Sequence, residues 1–162
     1  MVAWDTTLVS RLYPGGPVER LLLEHARRDD VVGITAPTVM EVVRGLELTA
    51  VRRPSIARAL AWFTRVVGSD LVEILPLDHW SAVVAGRVRA LQPIPPTGTR
   101  RKGTKPEQRA GWILDIQIAA CAWTHGRELT TENQGDFHTL SELVAQLYPC
   151  APPLEVTQPA QT

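Results

Sequence analysis

Short apolar runs alternate along this chain with longer stretches in which apolar side chains recur every three or four positions. Val2 to Trp4, Val31 to Thr35, Leu71 to Leu75 and Leu129 to Thr131 have the length and flanking residues of buried strands. After the first of these, Thr6 to Leu12 begin a helical pattern that Pro14-Gly15-Gly16-Pro17 interrupts before it resumes from Val18 to Arg28. Pro37 opens a helix with a stripe of Val39, Val42, Val43 and Leu46 that runs to about Ala50. Pro54 starts a further helix ending near Val67-Gly68, and Asp78 is a suitable N-cap for one carrying Trp80, Val83, Val84, Val88 and Leu91. A connection from Gln92 to Pro106, rich in Pro, Gly and Thr, leads into a helix from Glu107 to His125 that Gly126 terminates. Leu140 to Leu147 predict a short last helix, with Leu154 to Val156 as an edge strand and Thr157 to Thr162 as a frayed tail.

Strands alternating with helices predict an α/β fold, a parallel sheet covered on both faces. Ligands of such sheets gather at the carboxyl ends of the strands. Asp5 stands at one such end and Asp136 just beyond another, which lets both face one crevice. A length of 162 residues with 44% hydrophobic content suits one compact domain. The apolar runs are shorter than the roughly 18 residues a membrane span requires, and no basic segment followed by an apolar one opens the chain, so a soluble, cytoplasmic protein without membrane contact is expected. Two cysteines, Cys121 and Cys150, form neither a metal-ligand spacing nor a disulfide framework. Lys plus Arg and Asp plus Glu number 17 each, so net charge does not announce a nucleic-acid binder. Local charge is uneven: Arg100, Arg101, Lys102, Lys105 and Arg109 set five cations within ten residues, either a solvated loop tip or an arm that tracks phosphates.

Four carboxylates carry the chemical interest. Asp5 at a strand-to-helix junction serves equally as an N-cap and as a ligand. Glu41 projects away from the stripe of its helix and reads as a surface residue by periodicity alone. Asp115 lies in Trp112-Ile113-Leu114-Asp115-Ile116-Gln117-Ile118-Ala119-Ala120, apolar on nearly every side, which predicts a buried carboxylate that needs a partner or a cation. Asp136, in Asn133-Gln134-Gly135-Asp136-Phe137, also fits an ordinary turn. Taken together, acids converging at one sheet edge would repel unless a divalent cation neutralised them, and oxygen ligation selects Mg²⁺ or Mn²⁺.

In four segments the chain resembles the PIN-domain ribonucleases, specifically VapC-type toxins of bacterial toxin–antitoxin systems. These are Asp5-Thr6-Thr7-Leu8-Val9-Ser10, Ala36 through Glu41 to Gly45, Asp115-Ile116-Gln117-Ile118-Ala119-Ala120, and His125-Gly126 through Thr131 to Phe137. The likeness spans about residues 1 to 148. It implies a three-layer α/β/α sandwich over residues 1–150, with a basic insertion at about 92–109 and an edge strand or flexible tail at 151–162. It further implies Mg²⁺-dependent hydrolysis of structured RNA such as transfer or ribosomal RNA, with Asp5 and Asp115 as direct metal ligands and Glu41 and Asp136 completing the acidic cluster. In that scheme Thr6, Thr7, Thr131 and Asn133 orient carboxylates and waters. The products carry 5′-phosphate and 3′-hydroxyl ends, and the family works as a homodimer held by a cognate antitoxin.

Two departures stand out. Thr7 occupies a position where many relatives have Asn or Ser, and Trp112 replaces a common Gly three residues before Asp115. A catalytically silent module that binds RNA or a peptide is the competing class. A haloacid-dehalogenase-like phosphatase would need a second Asp at position 7, and His25, His79, His125 and His138 lack the spacing of a histidine-based ribonuclease. If the five cations contact phosphates, replacing one of them by Ala should lower the slope of log K against log salt by about one unit, as RNA-binding titrations at several salt concentrations would read.

Overall fold

The computed structural model describes residues 1–96 and 103–159. In chain order the elements are β1 (Val2–Trp4), α1 (Thr6–Val9), α2 (Pro17–Arg27), β2 (Val32–Thr35), α3 (Ala36–Ala50), α4 (Ile56–Val67), β3 (Val72–Leu75), α5 (His79–Leu91), α6 (Lys105–Thr124), β4 (Glu128–Thr130), α7 (Gln134–Leu147) and β5 (Val156–Thr157). The five strands form one sheet in the order β3-β2-β1-β4-β5, and every pairing is parallel. Ala3 pairs with Gly33 on one side and Leu129 on the other, so β1 occupies the centre.

Alternation of side chains across the pleat divides the interior into two cores. Trp4, Val32, Ile34 and Val72 face the layer of α1 to α4, where Leu8, Leu22, Val42 and Phe63 are buried. Ala3, Leu75 and Leu129 face the layer of α5 to α7 and pack with Val84, Ile118, Phe137 and Leu140. The result is the expected three-layer α/β/α arrangement with a short parallel sheet.

Capping chemistry explains several boundaries. Thr35 ends β2 and caps α3, its hydroxyl accepting from the Thr38 amide at 3.2 Å, which leaves Pro37 in the first turn where its missing N–H costs nothing. Asp78 caps α5 through the Ser81 amide at 2.8 Å, as expected. Gly126, at φ +62°, ends α6, with the Arg127 amide reaching Ala122 O and the Gly126 amide reaching Trp123 O, the paired bonds of a Schellman motif.

Three boundaries differ from expectation. α6 starts at Lys105 because Thr104 and Glu107 cap it reciprocally, Glu107 Oε2 accepting from the Thr104 amide and hydroxyl. Lys105 and Arg109 therefore belong to a helix and not to a loop, whereas Arg100, Arg101 and Lys102 lie outside the described residues. α7 begins at Gln134, six residues before Leu140, so Asp136 stands in a first helical turn. The last strand falls at Val156–Thr157 and pairs in parallel with β4. Among the described residues no helix is long and apolar enough to cross a membrane.

Leu129 is fully buried between β1 and β5 against the α5–α7 core. Leu129→Ala should lower unfolding free energy by about 2–5 kcal/mol, seen as a lower urea midpoint with unchanged slope.

Candidate active site

Asp5 ends the central strand with an extended backbone and is 2% exposed. Its Oδ1 accepts from the Thr7 amide at 3.0 Å, the Leu8 amide at 3.2 Å and the Thr7 hydroxyl at 2.7 Å. Its Oδ2 accepts from the Thr131 hydroxyl at 2.6 Å. The N-cap role is therefore real, and it is filled mainly by one oxygen, leaving acceptor capacity on the other. Burial pushes the Asp5 carboxyl above its usual range, and the hydrogen bonds from Thr131, Thr7 and Leu8 pull the other way.

The network continues across the sheet edge. Thr131 Oγ1 accepts from the Asn133 amide at 2.9 Å, and Asn133 Nδ2 donates to Asp136 Oδ2 at 2.9 Å. Thr7 Oγ1 accepts from the Glu132 amide at 3.3 Å, while Arg11 and Glu132 form an ion pair at the surface. Asp136 is buried. Asp5, Thr7, Thr131, Asn133 and Asp136 thus form one continuous chain of hydrogen bonds between β1, α1 and the β4–α7 connection. Thr7 meets Asp5 through both its amide and its hydroxyl, and the hydroxyl also accepts from the facing loop. The Thr6 hydroxyl, beside Asp5 in the chain, is buried and has no hydrogen-bond partner among the described residues.

Glu41 lies in the second turn of α3, half-buried, with Oε1 accepting from Arg44 Nη1 at 3.2 Å. It lines a cleft of about 720 Å³ between α3 and the first half of α6, whose walls include Arg44, Glu107, Leu114 and Gln117. Periodicity placed Glu41 opposite the apolar stripe, and that side of α3 faces the cleft. Asp115 is only half-buried, contrary to the expectation of full burial. The apolar run around it is not uniformly enclosed: Trp112, Ile116, Ile118, Ala119 and Ala120 are buried, whereas Ile113, Leu114 and Asp115 lie on a half-covered face of α6. Lys105 and Arg109 are exposed on the first turns of α6.

Among the described residues no three His, Cys, Asp or Glu side chains are grouped to hold one metal ion. The donors at this edge are nevertheless all oxygens, and the central carboxylate is desolvated. That set fits a hard divalent cation held by one or two direct carboxylates with water completing its shell. Sequence reading did not single out Gln134 or the carbonyl of Thr157, which meet the same loop (Gln134 Nε2 to Thr157 O, 2.8 Å). No local pattern signals a bond between a helix start and a strand twenty-three positions later.

Sheet order and layering match a PIN-like α/β/α fold. Solved structures agree over the whole chain. A chain of VapBC2 from Rickettsia felis, in a complex with a DNA fragment from their promoter, superposes with a TM-score of 0.61 at 16% identity, covering 98% of each chain. A chain of DNA-bound VapBC from Salmonella typhimurium gives 0.58 at 21%, covering 98% of each. One of FitAcB from Neisseria gonorrhoeae gives 0.56 at 21%, covering 97% of this chain and 96% of that one. No protein-family model and no curated protein matches the sequence.

A carboxyl raised above its ordinary value of 3.8 binds its proton more tightly in the native state. Its share of stability is complete below that value and is lost as pH rises through the folded pKa. Asp5→Asn retains a capping acceptor without the charge, so in chelator it should melt at a higher temperature than the unsubstituted chain at pH 7. Calorimetry between pH 7 and pH 4 should show that gap closing as pH falls.

Proposed function

We propose that the chain is the toxin of a VapC-type toxin–antitoxin pair, a cytoplasmic, Mg²⁺-dependent PIN-domain endoribonuclease acting on structured RNA such as transfer or ribosomal RNA. The observation that carries this reading is the buried carboxylate of Asp5 at the carboxyl end of the central strand, tied through Thr131 and Asn133 to Asp136. The likeness to chains of VapBC and FitAcB supports the same fold-level assignment.

Asp5 and Asp115 would hold the cation, Mg²⁺ or Mn²⁺, and Glu41 and Asp136 would complete the negative field around it. When bound, such an ion supplies an activated water and neutralises charge on the phosphoryl oxygens. The chain's own residues do the positioning: the Thr7 and Thr131 hydroxyls fix the Asp5 carboxylate, and Asn133 fixes that of Asp136. As the water oxygen bonds to phosphorus and the P–O3′ bond breaks, the acidic cluster would take the water's proton and solvent would protonate the departing 3′-oxygen, giving 5′-phosphate and 3′-hydroxyl ends. Lys105 and Arg109 stand exposed on the helix that walls the Glu41 cleft, where a phosphate backbone would meet them. The partners that follow are an antitoxin and a second copy of the toxin.

Purified protein incubated with labelled structured RNA should cleave it with Mg²⁺ or Mn²⁺ and not with chelator. Asp5→Asn and Asp115→Asn should each cost at least about 100-fold in rate. Cleavage that survives chelation or both substitutions overturns the assignment, and RNA binding without cleavage of any substrate favours a silent binding module.

A further inference from the structure

The hydroxyl that holds Asp5 Oδ2 belongs to Thr131, which is completely buried. A threonine side chain is stiff about χ1, so the direction of its hydroxyl follows its backbone. Both backbone polar groups of Thr131 are fixed by groups outside β4. Its amide donates to Thr157 O at 2.9 Å, and its carbonyl accepts from Gln134 Nε2 at 2.7 Å. The same Gln134 nitrogen donates to Thr157 O at 2.8 Å. The two N–H groups of one carboxamide are thereby spent on two carbonyls, and Thr157 O receives one bond from each side of the junction. Glu155, just before β5, accepts from the Leu129 amide at 2.8 Å, and β5 adds a contact between the Thr130 and Thr157 hydroxyls at 3.2 Å.

We infer that Gln134 is a positioning residue: its carboxamide locks the β4–α7 connection onto β5 and so aims the Thr131 hydroxyl at Asp5. This deepens the nuclease reading and rests on it. Gln134 touches neither acid by any of these bonds and acts only through Thr131, so its loss should reach catalysis as misplacement of Asp5 and not as lost affinity for RNA. β5 becomes part of the site's frame, although none of its side chains belongs to the acidic cluster.

Gln134→Met removes both donors at similar size and without charge, and Gln134→Glu places a carboxylate against two carbonyls. In both, kcat for RNA cleavage should fall about tenfold or more while KM changes little. Hydrogen exchange of the Thr131 amide should accelerate about tenfold, with the Ala119 and Ala120 amides of α6 unaffected. Ser141→Ala is the control for mere loosening of the C-terminal segment, since Ser141 Oγ donates to Leu154 O at 2.7 Å and lies outside the network. It should lower melting temperature and leave kcat unchanged. Unchanged kcat in folded Gln134→Met overturns the inference, as does an equal loss of kcat in Ser141→Ala. If the unsubstituted chain cleaves no RNA, the nuclease reading fails and the catalytic role of Gln134 fails with it, a result separable from the first two.

Discussion

A carboxylate removed from water at the end of a central strand is the constraint around which this molecule is arranged. Leaving Asp5 charged and buried without donors would be costly, and the fold meets that cost with four hydrogen bonds from two directions. Three come from the first turn of α1, immediately ahead in the chain. The fourth comes from Thr131, which topology alone brings close, because β4 pairs directly with β1. The central position of β1 is thus a condition of the site as well as of the core.

Two-sided packing explains why Asp5, Glu41 and Asp136 each follow the carboxyl end of a strand. With helices on both faces of a parallel sheet, only the strand ends are open, and at the carboxyl ends each chain turns into a helix start. Asp5 leads into α1, Glu41 follows β2 on α3, and Asp136 follows β4 on α7. Asp115 instead stands on a long helix, α6, that packs against α3, α5 and α7. Its half-exposed position reflects the face of α6 it occupies, since Trp112 and Ile116 on either side of it are buried.

Much of this was legible in the sequence. The first four strands, the caps at Asp78 and Gly126 and the Pro in the first turn of α3 all rest on local chemistry, and local chemistry is what a sequence displays. Asp5 was readable as cap or ligand, and the structure shows the cap with room for more. The burial of Asp115 was misjudged because an apolar run reports hydrophobicity and not how completely neighbouring elements cover each turn. The start of α7 was missed because Gln134-Gly135-Asp136 look like a turn, whereas contacts of Gln134 with Thr131 and Thr157 hold them in the helix. Long-range partners of this kind leave no periodic trace, and neither did the pairing that joins Thr7 to Glu132.

The last strand contributes two residues, yet it receives the Thr131 amide and the Gln134 carboxamide. Its place in the chain gives it a temporal meaning. Asp5 is synthesised before every helix described, and Thr157 follows them all. A nascent chain can therefore bury its two cores before the clasp on the acidic edge exists. For a protein whose proposed substrates include the RNAs of translation itself, the machinery that synthesises it would be in contact with an unfinished site until the final strand docks.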